Sequence, residues 1–245
     1  MHILEGEGVT KYFGGLSAVS NVDFYVDQGE VLGLIGPNGA GKTTLFNLIS
    51  AALVPKPGII KFKGQNITGL KPYKICRLGI SRTFQMVKIF ANLPVFDNVR
   101  VGSLFGTSQK MSPAEAEKST AELLEFVGLA NESGIPAKDL TLAHQKRLEV
   151  ARALATKPEL LLLDELMAGL NQTEVSEAMG LVKQIRSKGI TVIMIEHVMK
   201  AIMNVCDRII VLHHGQKIAE GTPHEIANSK TVIEVYLGEQ TNAGS

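Results

Sequence analysis

One nine-residue stretch sharply limits the folds open to this chain: Gly36-Pro37-Asn38-Gly39-Ala40-Gly41-Lys42-Thr43-Thr44. It matches G-x-x-x-x-G-K-[ST] in full. An apolar run over 31–35 precedes it, and Leu45, Leu48 and Ile49 follow at helical spacing, which predicts a buried strand, a loop and an amphipathic helix. Glycines let backbone N–H groups turn inward around phosphate oxygens, and the helix directs its positive dipole end at the same place. The pattern predicts a phosphate-binding loop.

Two side chains of this loop have predicted roles of their own. Lys42 would reach the β- and γ-phosphates of a nucleotide, and Thr43 would ligate Mg²⁺. A chance glycine-rich turn is the alternative, but both the strand before the loop and the helix after it argue against that interpretation.

The composition is that of an ordinary globular chain. With 245 residues, the chain is expected to form one domain with subdomains. Its hydrophobic content of 45% is ordinary for a globular protein. A net charge of +1 gives no reason to expect a nucleic-acid partner. The start shows no signal peptide and no run is long enough to span a bilayer, so we expect a cytosolic chain. Cys76 and Cys206 are interpreted as reduced structural thiols.

Apart from the phosphate loop and the helix after it, the first third of the chain is predicted to form mainly strands. Residues 2–9 and 18–26 are predicted strands of an N-terminal sheet, and a hairpin over 59–67 returns to that sheet. The core is therefore predicted to be mixed, with antiparallel strands at one side. From about 87 to 157 the pattern changes to helices, which include a capping box at Ser112 and a helix over 141–156.

The α/β alternation then resumes. Apolar strands are predicted over 160–163 and 190–195 with a helix over 173–187 between them, which indicates parallel strands joined by crossovers. A hairpin follows around His213-His214, which we interpret as an exposed turn and not as a metal site. Residues 240–245 are predicted to be disordered.

An acidic pair, Asp164-Glu165, follows the leucine run 160–163. Ligands of open parallel sheets bind at the carboxyl ends of strands, where this pair would lie. In a phosphate-loop enzyme the first carboxylate orients Mg²⁺ and its waters, and the second polarises the attacking water. A merely solvated strand end is the alternative interpretation.

Together these motifs resemble the nucleotide-binding subunit of an ATP-binding cassette (ABC) transporter, with similarity that runs from Val9-Thr10-Lys11-Tyr12-Phe13-Gly14 to Ala219-Glu220-Gly221-Thr222-Pro223. The resemblance implies an α/β fold of the P-loop NTPase class, with a RecA-like mixed sheet, an antiparallel β subdomain and an inserted α-helical subdomain. It implies one ABC ATPase domain over 1–240, with its core over 1–86 and 158–240, its helical subdomain over about 87–157, and a flexible tail over 241–245.

The resemblance also assigns roles to individual residues. Phe13, with Tyr12 as the second choice, would stack on adenine. Gln85, in Arg82-Thr83-Phe84-Gln85, would offer its carbonyl to Mg²⁺ and its amide to the attacking water. His197 resembles the histidine that contacts the γ-phosphate. The predicted catalytic set is Gln85, His197, Lys42 and Glu165, and ATP and Mg²⁺ are the implied ligands.

The family signature departs from the usual pattern in this chain. The stretch Leu140-Thr141-Leu142-Ala143-His144-Gln145 carries Thr141, Ala143 and His144 where the family usually has Ser, Gly and Gln. Thr141 keeps the hydroxyl that would meet the γ-phosphate bound to the opposing subunit, whereas the Ala143 methyl would push that contact outward. Leu166 replaces a usual proline after the acidic pair. We therefore expect a composite site that is weakened by these changes.

Partners and branch follow from the same resemblance. The expected partners are a second ABC ATPase subunit, either a sister or itself, and membrane permease subunits, with the chain peripheral at the cytoplasmic face of the inner (cell) membrane. Residues 85–96, with Phe84, Phe90 and Phe96, are predicted to contact a partner helix.

Five strings resemble the larger ATPase of branched-chain amino acid importers: Arg82-Thr83-Phe84-Gln85, Gln145-Lys146-Arg147-Leu148-Glu149, Ala168-Gly169-Leu170-Asn171, Ile195-Glu196-His197 and Tyr236-Leu237-Gly238. Urea or amide import, lipopolysaccharide export and a soluble ABC ATPase of cofactor assembly remain alternatives. A kinase or GTPase would not explain Gln85, His197 and the signature together, and a tandem translation factor would need a second cassette.

Overall fold

The described residues of this computed structural model are 1–106 and 111–242, with side chains described up to residue 236. The strands are β1 His2–Phe13, β2 Leu16–Asp27, β3 Val31–Ile35, β4 Ile59–Phe62, β5 Gln65–Asn66, β6 Ile80–Arg82, β7 Leu160–Asp164, β8 Thr191–Ile195, β9 Arg208–His213 and β10 Gln216–Gly221. The α-helices are α1 Lys42–Ile49, α2 Pro72–Leu78, α3 Val95–Phe105, α4 Pro113–Phe126, α5 Leu142–Ala155, α6 Gln172–Ser187, α7 Met199–Val205, α8 Pro223–Ala227 and α9 Lys230–Asn242.

The strands form two sheets. One sheet is antiparallel in the order β2-β1-β4-β5, and the other has the order β10-β9-β3-β8-β7-β6. In the second sheet β3, β6, β7, β8 and β9 run parallel to one another, and β10 at the edge is antiparallel to β9. The predicted mixed α/β fold with an antiparallel β unit is confirmed. The antiparallel strands form a separate sheet, because β1 pairs with β2 and β4 and not with β3.

The N-terminal hairpin is longer than predicted. Its strands were expected over 2–9 and 18–26, but β1 extends to Phe13 and β2 begins at Leu16. The register between them shifts at several points, including between Gly6 and Val9. Such bulges break the two-residue alternation from which strand ends are recognised in a sequence.

Alternate residues of the central strands enter different cores. In β7, Leu161 and Leu163 pack into the core on one face of the sheet, whereas Leu160 and Leu162 pack into the core on the other face. The same alternation divides β3 between the two cores. The prediction that these strands are covered on both faces is therefore confirmed.

Helices occupy the stretch between β6 and β7. The helix α3 packs against α4 and α5, and α4 begins with the predicted capping box of Ser112 and Glu115. At the other end of the chain, α9 continues to Asn242, so the prediction of disorder was wrong for 240–242, which include the first two residues of the predicted tail 241–245; residues 243–245 lie outside the described residues.

Candidate functional site

The loop between β3 and α1 has the backbone that phosphate binding needs. Gly41 has φ +101° at the N-cap of α1, and a Cβ on Gly41 would collide with the carbonyl oxygen of Ala18. A Cβ on Gly36 would collide with the carbonyl oxygen of Leu212 in the same way. Glycine is therefore required at both positions by its neighbours as well as by its φ angle. The first amides of α1 point out of the helix at this loop, where they attract an anion.

Lys42 is held inside the loop by its own backbone. Its side chain is 6% exposed, and its Nζ donates to the carbonyls of Gly36 at 2.5 Å and Pro37 at 2.8 Å. This arrangement holds the ammonium group inside the loop that is predicted to bind phosphate.

The turn between β9 and β10 supports the loop from the side. The N–H of Gly215 donates to the carbonyl of Ala40 at 3.0 Å, and the carbonyl of Gly215 accepts from the N–H of Ser20 at 2.8 Å. The turn therefore links the phosphate loop to the N-terminal hairpin.

A cavity of about 430 Å³ lies over the phosphate loop. Its described lining is Phe13, Leu16, Ser17, Ala18, Asn38, Gly39, Ala40, Gly41, Lys42, Thr43, Thr44, Gln85, Glu165, His197 and His214. The side chains of Phe13 and Leu16 at the hairpin tip are exposed, as a surface for a flat aromatic base must be. Tyr12, the second choice for that role, does not belong to this lining.

Glu165 lies between two of the other predicted catalytic side chains, those of Gln85 and His197. Gln85 Nε2 donates to Glu165 Oε2 at 3.2 Å, and His197 Nε2 is 3.0 Å from Glu165 Oε1. Glu165 has a left-handed backbone, with φ +52°, and its N–H donates to the carbonyl of Ile195 at 2.9 Å. Three residues that are far apart in the sequence thus meet at one side of the cavity.

Asp164 lies deeper than Glu165 and is 2% exposed. Its Oδ2 is paired with Arg82 NH2 at 3.1 Å, and its N–H donates to Thr83 Oγ1 at 3.1 Å. Burial raises the pKa of this carboxyl, and the Arg82 guanidinium opposes the shift. The other oxygen, Oδ1, is buried and has no hydrogen-bond partner among the described residues. A buried carboxylate oxygen in this state suits a water molecule bound to a cation.

The described residues contain no group of three or more His, Cys, Asp or Glu side chains arranged to hold a metal ion. The candidate donors are instead the Thr43 hydroxyl, the Gln85 carbonyl and the Asp164 carboxylate. All three offer oxygen, which fits Mg²⁺, an ion that is commonly held by few protein groups together with phosphate oxygens and waters.

The two remaining predicted nucleotide contacts lie elsewhere. Thr141 is exposed at the N-cap of α5, where its Oγ1 accepts the N–H of His144 at 3.3 Å. Ala143 is 7% exposed, and neither residue belongs to the described lining of the cavity. His144 Nδ1 is directed to Glu132 Oε1 at 3.1 Å, within the helical region. A nucleotide in this cavity would therefore meet residues of the chain other than its signature.

Several polar side chains around the site were not predicted from the sequence. Arg82 donates to Asn47 Oδ1 at 2.7 Å and to Ser50 Oγ at 2.9 Å as well as to Asp164, so it joins α1 to β7. His214 was interpreted only as part of a turn. Lys146 and Glu196 are 6% and 2% exposed. One available signal was that Lys146 shares helical spacing with the apolar Val150 and Ala153, which indicates a buried position.

A second cavity, of about 480 Å³, lies outside the nucleotide cavity. It is bordered by α2 on one side and by α5 on the other, and its lining includes Arg82, Thr83 and Phe84 from the segment that leads to Gln85. Although it is the larger of the two, it contains none of the predicted catalytic side chains.

The six-stranded sheet, the phosphate loop after β3 and the acidic residues at the end of β7 define a P-loop nucleotide-binding ATPase. Residues 19–168 match the family model described as ABC transporter, and residues 216–241 match the model of the branched-chain amino acid ATP-binding cassette transporter. The chain belongs to the ABC transporter family, as one of its ATPases.

Two curated relatives extend over nearly the whole chain. The chain is 40% identical to BraF of Pseudomonas aeruginosa, a high-affinity branched-chain amino acid transport ATP-binding protein, over 97% of this chain and 98% of BraF. It is 40% identical to LivG of Escherichia coli strain K12, which is described in the same words, over the same shares of the two chains.

Solved structures agree with these matches. The ADP conformation of MJ1267, an ATP-binding cassette of an ABC transporter, has a TM-score of 0.88 and 31% identity, and covers 97% of this chain and 99% of that chain. The dimeric post-hydrolysis state of MJ0796 bound to ADP and Pi has a TM-score of 0.82 and 26% identity, and covers 90% of this chain and 98% of that chain. Among the described residues, no helix combines the length and apolar character that crossing a bilayer requires.

Proposed function

We propose that this chain is the ATP-binding and ATP-hydrolysing subunit of a transporter that imports branched-chain amino acids. The observation that carries the ATPase proposal is the Glu165 carboxylate, held between Gln85 and His197 beside the phosphate loop. The amino acid substrate is supported by the likeness to BraF and LivG and by the match of residues 216–241.

The proposed chemistry divides among side chains of the cavity. Phe13 stacks on adenine, and the backbone of 36–44 surrounds the phosphates, with Lys42 on the β- and γ-phosphates. Glu165 polarises the attacking water, and Gln85 orients it. His197 donates a hydrogen bond to the γ-phosphate as it is transferred.

Thr43, Gln85 and Asp164 are proposed to hold Mg²⁺. The bound ion would neutralise the charge that develops on the phosphate oxygens. Asp164 acts through water in this proposal, which agrees with its buried Oδ1 and with the position of the residue behind the cavity.

The proposed active unit is a pair of cassettes. Thr141 and Ala143 lie outside the chain's own cavity, at the start of α5, which we call the signature helix. They are proposed to complete the nucleotide site of a second ABC ATPase subunit. The dimeric structure of the related cassette MJ0796 supports this arrangement. The second subunit is a sister chain or a second copy of this one. Closure of the pair around ATP would drive the permeases, and hydrolysis would reopen it.

Membrane permease subunits are proposed to dock at the second cavity, because Arg82, Thr83 and Phe84 in its lining lead directly to Gln85. Two of the aromatic residues predicted to contact a partner helix, Phe84 and Phe90, are 38% and 44% exposed. Phe96 is partly buried against the hydrophobic core, which leaves less of its side chain for a partner. Docking there would place the chain peripherally, at the cytoplasmic face of the inner membrane.

Uptake by the transporter complex purified through this chain tests the proposal. In proteoliposomes we expect ATP-dependent accumulation of labelled leucine and no accumulation of urea. Glu165→Gln should lower ATP turnover at least about 100-fold and abolish uptake while ATP stays bound, and Lys42→Ala should abolish tight ATP binding.

Lys183→Ala on the exposed face of α6 is the matched lysine control and should behave as the wild type. Uptake of urea without leucine would favour the urea importer, and unchanged turnover in Glu165→Gln would remove Glu165 from the catalytic role.

A further inference from the structure

The signature helix α5 is joined to the catalytic residue by a buried lysine. Lys146 is 6% exposed, and its Nζ donates to the main-chain carbonyl of Glu165 at 2.6 Å. Burial lowers the pKa of Lys146, and the charges of Glu196, Glu149 and Glu165 oppose that shift. A charged group is costly to bury, and within the described residues this carbonyl is the one hydrogen-bond acceptor of the Lys146 ammonium, so the Glu165 main chain is the feature that requires the buried charge.

That hydrogen bond acts on a backbone conformation which needs support. Glu165 has φ +52°, a value that is unfavourable for a residue with a side chain. Its N–H is fixed by Ile195 and its carbonyl by Lys146, so the peptide groups on both sides of its Cα are held. The direction of the Cα–Cβ bond follows, and with it the position of the carboxylate between Gln85 and His197.

The next turn of the same loop is held as well. Met167 donates its N–H to Glu196 Oε1 at 2.8 Å, and Glu196 directly precedes His197. One helical turn beyond Lys146, Glu149 Oε1 accepts the N–H of Lys88 at 2.6 Å, three residues after Gln85. The helix α5 therefore contacts both the residue that is to activate water and the segment that carries Gln85.

We propose that Lys146 is a positioning residue which transmits the state of the signature helix to Glu165. This inference rests on the proposed shared site, in which Thr141, at the start of α5, meets the nucleotide held by the other subunit. Lys146 lies on the second turn of that helix. A displacement of α5 by a nucleotide at Thr141 thus moves the ammonium group that fixes Glu165, and each ATP site senses whether the other is filled.

A purely structural role makes different predictions. If Lys146 only balanced the charge of Glu149 and Glu196, its loss would lower stability and leave turnover per folded molecule unchanged. If it positions Glu165, its loss lowers kcat and the cooperativity between sites, while the phosphate loop and the KM for ATP are preserved.

The test uses the complete transporter complex and measures kcat, KM and the Hill coefficient for ATP, with the melting temperature as a check of folding. For Lys146→Met we expect kcat to fall about tenfold or more, KM to stay within about twofold, and the Hill coefficient to fall towards 1. Lys146→Arg keeps a cationic donor and should recover at least about half of kcat.

Arg147→Met is the matched control, because Arg147 is the next residue of α5 and is directed to Val127 and Glu177, away from Glu165. It should keep the wild-type kcat and Hill coefficient. Should Lys146→Met not fold, Lys146→Leu, which also removes the N–H donor, is measured in its place.

A kcat for the Lys146 variant within twofold of the wild type would overturn the inference, as would a wild-type Hill coefficient of 1 or a loss that Lys146→Arg does not recover. These outcomes differ from failure of the proposed function, in which the wild-type complex itself would hydrolyse no ATP.

Discussion

Glu196 combines deep burial with a place directly before His197. Burial raises its pKa to about 7 from 4.5, and the N–H of Met167, the Lys146 ammonium and the N–H of His197 oppose the shift. Between about pH 4.5 and 7 the folded chain therefore holds a proton that the unfolded chain releases. The stabilisation linked to this proton is complete below about pH 4.5 and is lost as the pH rises through 7.

The pH dependence of unfolding can show this effect through Glu196→Gln, in which the group does not titrate. From pH 5 to pH 8, the free energy of unfolding of the wild type should fall relative to the variant by up to about 3 kcal/mol. Urea unfolding at both pH values measures the change. Glu122→Gln on the exposed face of α4 is the control, and an equal pH dependence of all three proteins would contradict the raised pKa.

Residue-level prediction from the sequence succeeded where a side chain follows a recognisable backbone pattern. Asp164 and Glu165 were placed correctly at a strand end because the four leucines before them predict the buried strand. Arg82 and Lys146 were not assigned, because their partners lie 82 and 19 residues away and only the packed fold brings them together. A spacing pattern contains no information about such contacts.

At the scale of elements, the helix α6, which follows the loop after β7, begins with its own capping box. The side chain of Asn171 accepts the N–H groups of Thr173 and Glu174, and Glu174 accepts the N–H of Asn171 in return. At the start of α4, Ser112 accepts one N–H, that of Glu115, at 3.3 Å. The side chain of Asn171 therefore satisfies more of the unpaired amides at the start of α6 than Ser112 does at the start of α4.

Replacing the two capping residues should reveal this difference. We expect Asn171→Ala to lower the free energy of unfolding by about 1–2 kcal/mol, and Ser112→Ala by about 0.5–1 kcal/mol. Urea denaturation with matched m-values measures both losses. A larger loss from Ser112→Ala than from Asn171→Ala would show that the hydrogen-bond count does not determine the cost.

Elements were predicted well where a periodic or wholly apolar pattern is long enough to recognise. The strands β7 and β8 and the helices α5 and α6 matched their predicted spans within one or two residues. The helix α2 was not predicted, since Ile75 is its one buried residue among the seven and no apolar stripe indicates it. Its short span is enclosed by Gly69 and Gly79, which read as loop.

At the scale of the whole molecule, the proposed signature and the nucleotide cavity are separate. Gln85, Glu165 and His197 surround the cavity of their own chain, whereas Thr141 caps α5 outside it. The sequence resemblance implied this division, but a single-chain pattern does not specify which second subunit completes the site.

Mixing two inactive variants tests the division. Lys42→Ala lacks the phosphate-loop ammonium, and Thr141→Arg places a bulky cation at the signature, so each alone should hydrolyse almost no ATP. Equal mixing should restore about a quarter of wild-type turnover, because half of the dimers are mixed and each of these contains one intact site. Absence of recovery would contradict sharing between two copies of this chain.

The left-handed backbone of Glu165 has a consequence for how this protein tolerates mutation. A glycine at this position would relax the φ of +52° and remove the carboxylate at the same time. Selection for thermal stability alone would thus favour loss of the carboxylate that we propose activates water, whereas selection for transport would preserve the conformationally costly glutamate. In a library of variants at position 165, glycine would be enriched by selection for thermal stability and depleted by selection for transport.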